Sequence, residues 1–128
     1  MNNMTKKLLS FMFALVLAFA LASCGLFKSV TKEEAKANLE AAGYTVTVIE
    51  GSVYAESEDN EFMLTAGELE TYMYAVKGED KIKMFFFYTV NQASINSEFM
   101  NNFDGLLSGQ ANELVYFGTR QAIKDAGL

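Results

Sequence analysis

The chain has 128 residues, a formal net charge of −6, a sequence pI near 4.6 and 51% hydrophobic residues, with no His, Pro or Trp and a single Cys. This length supports one domain. The acidic balance argues against nucleic acid and against electrostatic docking on anionic lipid, which both require basic patches.

Lys6 and Lys7 form a short positive segment, and residues 8–22 are an almost unbroken apolar run interrupted only by Ser10. That run is shorter than the ~20 residues of a stable membrane span but suits the core of an export signal. It ends in Leu21-Ala22-Ser23-Cys24. This tetrad resembles the lipobox of bacterial lipoproteins. The resemblance implies that the Cys24 thiol takes a diacylglyceryl group, that a peptidase cuts just before it, and that two acyl chains hold the protein at the outer face of the cell membrane. On that reading residues 1–23 are a signal peptide, 24–30 a lipidated tether and 31–128 a single domain. The acylated thiol also accounts for a lone cysteine in an exported chain, where an internal disulfide is impossible. Because Lys6 and Lys7 are the only charged residues before Cys24, the mature chain carries 16 acidic against 8 basic side chains.

The domain opens on Thr31 with Glu34 three residues later, a capping box flanked by Val30 and Ala35 at staple positions. Ala35, Leu39 and Ala42 recur at helical spacing, with Lys32, Glu33, Lys36 and Glu40 on the wet face and Gly43 as the left-handed stop. Residues 44–49 alternate as a strand of high β propensity. Gly51 is read as a turn and residues 52–55 as a short partner strand. The acidic stretch of Glu56, Glu58, Asp59, Asn60 and Glu61 offers oxygen ligands of the kind calcium takes. Its spacing departs from the EF-hand loop, because no Gly follows Asn60 and no Glu holds the distal position. The expectation is a solvated hairpin loop.

Residues 69–76 and 81–90 are two strand-like runs around Lys77-Gly78-Glu79-Asp80, a hairpin turn with Gly where positive φ is needed. A two-residue loop at Gly78 and Glu79 pairs Ala75 with Ile82, Met73 with Met84, Thr71 with Phe86 and Leu69 with Tyr88, all on one face. A slip of one residue would bring Lys81 and Lys83 into that apolar layer. The other face carries Tyr72, Tyr74, Phe85 and Phe87, flanked by Glu70, Lys81 and Lys83. Large aromatics within a charged rim are the composition of an interface. They are also ordinary cross-strand pairs that a second layer built from residues 52–65 would bury, and the two readings stand side by side.

A second helix follows, capped by Asn91 or Ser94, with Ile95, Phe99, Phe103 and Leu106 inward and Gly105 or Gly109 at its end. Residues 112–117 form a last strand. Gly118-Thr119 turns into a closing helix with Ala122, Ile123 and Ala126 inward and Thr119 as its cap.

The pattern predicts an α+β domain: an antiparallel or mixed β-sheet with two to three helices packed on one face. The stretch from the hairpin to the last strand is compatible with a ferredoxin-like variant, although the first strand of that pattern is missing. With no His and the Cys acylated, neither a zinc site of the usual type nor a His-activated nucleophile can be assembled. No Gly-rich phosphate loop is present, and the carboxylates form no pair of forced geometry. The expectation is a non-catalytic envelope lipoprotein without cofactor or metal, binding a protein partner or its own copy through Tyr72, Tyr74, Phe85, Phe87 and Lys83. The alternative is a small-molecule binder, such as a transporter accessory, which a concave apolar pocket would favour.

Overall fold

The computed structural model describes residues 29–100 and 105–128. Residues 1–28, with the lipobox and Cys24, lie outside the described residues. Within them the chain runs α1 (Lys32–Ala41), β1 (Thr45–Glu50), α2 (Gly51–Ala55), β2 (Leu69–Lys77), β3 (Asp80–Phe87), α3 (Val90–Phe99), β4 (Leu107–Ala111), β5 (Leu114–Gly118) and α4 (Arg120–Asp125). The strands form one antiparallel sheet in the order β1-β2-β3-β5-β4, so the α+β class is as the sequence predicts.

The local signals at the helix ends are obeyed. The Thr31 hydroxyl accepts the Glu34 backbone N–H at 3.1 Å and donates to the Glu34 carboxylate at 3.2 Å. Gly43 takes φ +96° after α1, and Ala35 and Leu39 are fully buried. Thr119 caps α4, accepting from the Ala122 N–H, and its hydroxyl is fixed by donating to Asp80 at 2.9 Å. Lys77 and Asp80 close the two-residue turn, with Gly78 at φ +60°.

The hairpin register follows side-chain chemistry for most of its length: Ala75 faces Ile82, Met73 faces Met84 and Thr71 faces Phe86. It departs at the far end. A bulge between Leu69 and Thr71 sets Leu69 opposite Phe87 rather than Tyr88, rotating Leu69 to the opposite face. Leu69 is fully buried there and Tyr88 is left exposed. The run from Met84 to Phe87 is buried on every residue, so alternation carries no information about register at this end, and a bulge lets both apolar faces be satisfied.

Two cores result. On one face α1 and α4 cover Met73, Ala75, Ile82, Met84, Phe86 and Leu114. On the other α2, the 56–68 segment and α3 cover Tyr72, Phe85, Phe87, Val115 and Phe117. The expected packing of helices on one face is therefore corrected. β2, β3 and β5 are apolar on both sides, and a sheet of that kind is stable only as a middle layer.

The second helix also differs. Its cap is Thr89, which accepts from the Gln92 N–H at 3.1 Å, and α3 ends at Phe99. Ala93 and Met100 are buried, whereas Ile95 and Phe99, expected inward, are 51% and 74% exposed. Phe103 lies outside the described residues. The sheet below α3 presents Phe85, Phe87 and Phe117, so the small Ala93 fits the contact and larger side chains are turned away. Gly109, expected as a helix stop, sits in β4, which pairs with β5 through a tight turn with Asn112 at φ +53°. β3, α3 and β4 make one split strand-helix-strand unit with β5 between its strands. Among the described residues the second interlocked unit of a ferredoxin-like sheet is absent.

Candidate ligand-binding cleft

The residues 51–64 build one wall of a cleft against the sheet. Residues 51–55, expected as a turn and short strand, form α2 instead. Gly51 is required there for space: a Cβ would fall 1.7 Å from the Leu69 carbonyl oxygen. This close approach carries Tyr54 over the sheet, where it is 2% exposed. Its ring stacks on Tyr72 with centroids 4.3 Å apart and meets Phe85 edge-on at 5.8 Å.

The acidic stretch that follows is a structured cover rather than a solvated hairpin loop. Asn60 holds it: its amide donates to the carbonyls of Ala55 and Leu64 at 2.9 and 2.8 Å and accepts the Leu64 N–H at 2.9 Å. The Tyr54 hydroxyl donates to the Asp59 carbonyl at 2.6 Å. These bonds turn Phe62 inward, edge-on to Phe85 at 5.5 Å and stacked on Phe117 at 5.8 Å. Glu56, Glu58, Asp59 and Glu61 are exposed, and Asp59 and Glu61 stand at the border of the cleft that this segment forms.

Between this cover and the sheet lies a cleft of about 270 Å³. Its walls are aromatic: Tyr54, Phe62, Tyr72, Tyr74 and Phe85, with Ile49 and Thr47 from β1. Asp59, Glu61 and Lys83 supply its charged groups. Tyr72 is only 8% exposed, and among the described residues its hydroxyl has no hydrogen-bond partner. Burial, and then the Glu61 and Asp59 carboxylates, push the Tyr54 hydroxyl up to about 12. Burial raises Tyr72 further above the ordinary tyrosine value, helped by Tyr54, Tyr74, Asp59 and Glu61. Both hydroxyls therefore hold their protons to higher pH than an ordinary tyrosine, chiefly because they are desolvated.

The aromatic set expected as an open interaction face is divided. Tyr72, Phe85 and Phe87 are interior, at 8%, 1% and 1% exposure, because the 51–64 segment and α3 form a second layer over them. Phe87 lies away from the cleft lining. Tyr74 and Lys83, opposite each other in register, remain half-buried at the cleft. Sequence reasoning missed Tyr54, Phe62, Asp59 and Glu61 as cleft residues. The available signal was the pair of aromatics bracketing the polar stretch, since apolar anchors on both sides of an acidic run mark a segment that packs.

A second, shallower depression of about 260 Å³ lies at the β1 edge among Lys32, Glu33, Lys36, Val48, Glu50, Thr71 and Met73. Lys32 bridges it, donating to Glu70 at 2.6 Å and to Thr71 at 3.4 Å. Among the described residues no group of three or more acidic, His or Cys side chains converges to hold a metal ion, and no helix is long and apolar enough to cross a membrane. Neither a family model nor a curated protein or solved structure matches the chain.

Proposed function

We propose that this chain is an exported lipoprotein, held at the outer face of the cell membrane by acyl groups on Cys24, whose domain is a non-catalytic binding module. The binding it supports best is of a small molecule in the cleft under residues 54–62. The observation that carries this reading is the aromatic-lined cleft itself, with the Tyr72 hydroxyl, unpartnered among the described residues, among its polar groups. A few polar groups in a mostly apolar concavity are what ligand sites present. The open aromatic sheet face that favoured a protein partner is covered. The anchor is tested by intact mass of protein taken from membranes: the chain is expected to begin at Cys24 and carry acyl groups. Retention of residues 1–23, or unchanged membrane partition of Cys24→Ala, overturns it.

A second reading, association with a protein or with another copy, draws on α3 and its flanks. Tyr88, Val90, Ile95, Phe99 and Leu107 are all between 45% and 74% exposed. Sedimentation of the detergent-solubilised protein, with and without Phe99→Ser, tests it: a dimer that dissociates in the variant supports self-association, and a monomer in both removes it.

A further inference from the structure

We infer that the cleft between residues 54–62 and the sheet takes a small organic ammonium ion, with the aromatic rings as its walls and Asp59 and Glu61 as its counter-charges. The inference rests on the proposed ligand-binding function and specifies its chemistry. Three observations converge.

The lining is aromatic: Tyr54, Tyr72 and Phe85 pack on one another and are nearly buried, and Phe62 and Tyr74 are the half-buried rings at the cleft. Such rings offer a weakly hydrated cation both dispersion and the negative potential of the ring face. The volume of about 270 Å³ suits a ligand of a few heavy atoms rather than a drug-sized one.

The sign of the field is the second observation. Two acidic residues, Asp59 and Glu61, and one basic residue, Lys83, stand in the cleft lining. Asp59 and Glu61 both act on the hydroxyls of Tyr54 and Tyr72, in the direction that opposes negative charge there. Burial, the larger cause, opposes charge of either sign, whereas the part that comes from the two carboxylates attracts a cation.

The third is the Tyr72 hydroxyl. Tyr72 as a residue is 8% exposed and lines the cleft, and its hydroxyl makes no hydrogen bond among the described residues and is not itself closed off from the cleft. A hydroxyl so placed gives a polar ligand one directional contact. The Tyr54 hydroxyl is already committed to the Asp59 carbonyl at 2.6 Å.

The test uses the full chain in maltoside micelles, which carry no ammonium headgroup. Choline and its neutral isostere 3,3-dimethyl-1-butanol are titrated by ligand-observed NMR, with empty micelles subtracted. The two probes share shape and hydroxyl and differ in charge. Choline is expected to bind about tenfold more tightly than the isostere. Asp59→Asn with Glu61→Gln, both exposed side chains, should erase that preference while leaving the melting curve in place. Tyr72→Phe should weaken both probes together. Equal affinity of the two probes in the parent protein, or a preference that survives the double variant, overturns the cation inference and leaves ligand binding standing. Failure of both probes to bind a protein shown to be folded overturns the inference and the ligand-binding reading together.

Discussion

The ring of Tyr54 lies on the ring of Tyr72, with centroids 4.3 Å apart and planes inclined by 24°, and this stack is what fastens the 51–64 segment to the sheet. Both residues are large, buried and aromatic, so area burial and ring geometry act together.

Truncation of Tyr54 should therefore be costly, and its two components are separable. Tyr54→Phe keeps the stack and deletes the hydroxyl with its bond to the Asp59 carbonyl and its backbone contact with Glu61, an expected loss of about 1 kcal/mol. Tyr54→Ala removes the ring as well, for roughly 3 to 5 kcal/mol. Urea unfolding of the three proteins measures both steps. A Phe variant as damaging as the Ala variant would show that the hydroxyl, not the stack, holds the segment.

Gly51→Ala adds one methyl group where the Leu69 carbonyl oxygen stands 1.7 Å from the added carbon. Backbone cannot rotate away as a side chain does, so α2 must shift from the sheet. Overpacking of this kind costs roughly 1 to 3 kcal/mol. Gly67→Ala, at an exposed position where an added Cβ meets nothing within 4 Å, is the matched control. A lower melting temperature is expected for Gly51→Ala alone.

The alkaline limb of stability should be steep. Tyr44, Tyr54 and Tyr72 all have pKa values raised above the ordinary 10.0, each chiefly by burial. Tyr44 is also raised by its hydrogen bond to Asp125 at 2.8 Å. In the unfolded chain these hydroxyls ionise near their ordinary value, whereas in the fold they hold their protons to higher pH. Their contribution is thus fully present below about pH 10 and is lost as pH rises from there towards the raised values. Lys32, raised by its bond to Glu70, acts in the same direction, but it is an exposed pair and contributes little. Melting curves between pH 8 and pH 11, read with tyrosinate absorbance, check the sign. Three of the six tyrosines should ionise only as the protein unfolds.

How much of this architecture was legible depended on whether each signal was local. The Thr31 cap, the Gly78 turn and the Thr119 cap are short-range chemistry and were read correctly. So was the hairpin register where Lys81 and Lys83 pin one face to water. It failed at Leu69, because Met84 to Phe87 are apolar on both sides and period-two reasoning needs a polar face. α3 failed for a related reason: Ile95 and Phe99 have the spacing of a core stripe, but the contact they would occupy is filled by sheet aromatics, and only tertiary structure reveals that. β4, with Leu107, Ser108, Gly109, Gln110 and Ala111, has little intrinsic β propensity and owes its conformation to pairing with β5. The cleft was illegible in the same sense, since Tyr54 and Phe62 join Tyr72 and Phe85 only when the second layer closes.

The two phenylalanines that exchange roles between expectation and structure provide the last prediction. Phe87 is 1% exposed under α3 and Phe99 is 74% exposed on its surface. Phe87→Ala removes a buried ring from a layer that already contains Phe85, Phe117 and Val115, and the void cannot be filled by the short Ala93 above it. The expected loss is roughly 3 to 5 kcal/mol. Phe99→Ser loses little burial and replaces an apolar surface group by a polar one, with an expected change within about 0.5 kcal/mol. If α3 instead packed with its Ile95 and Phe99 stripe against the sheet, the order would be inverted. Paired denaturation curves decide it: a Phe99→Ser variant at least as damaged as Phe87→Ala would mean that α3 is rotated about its axis from the arrangement described.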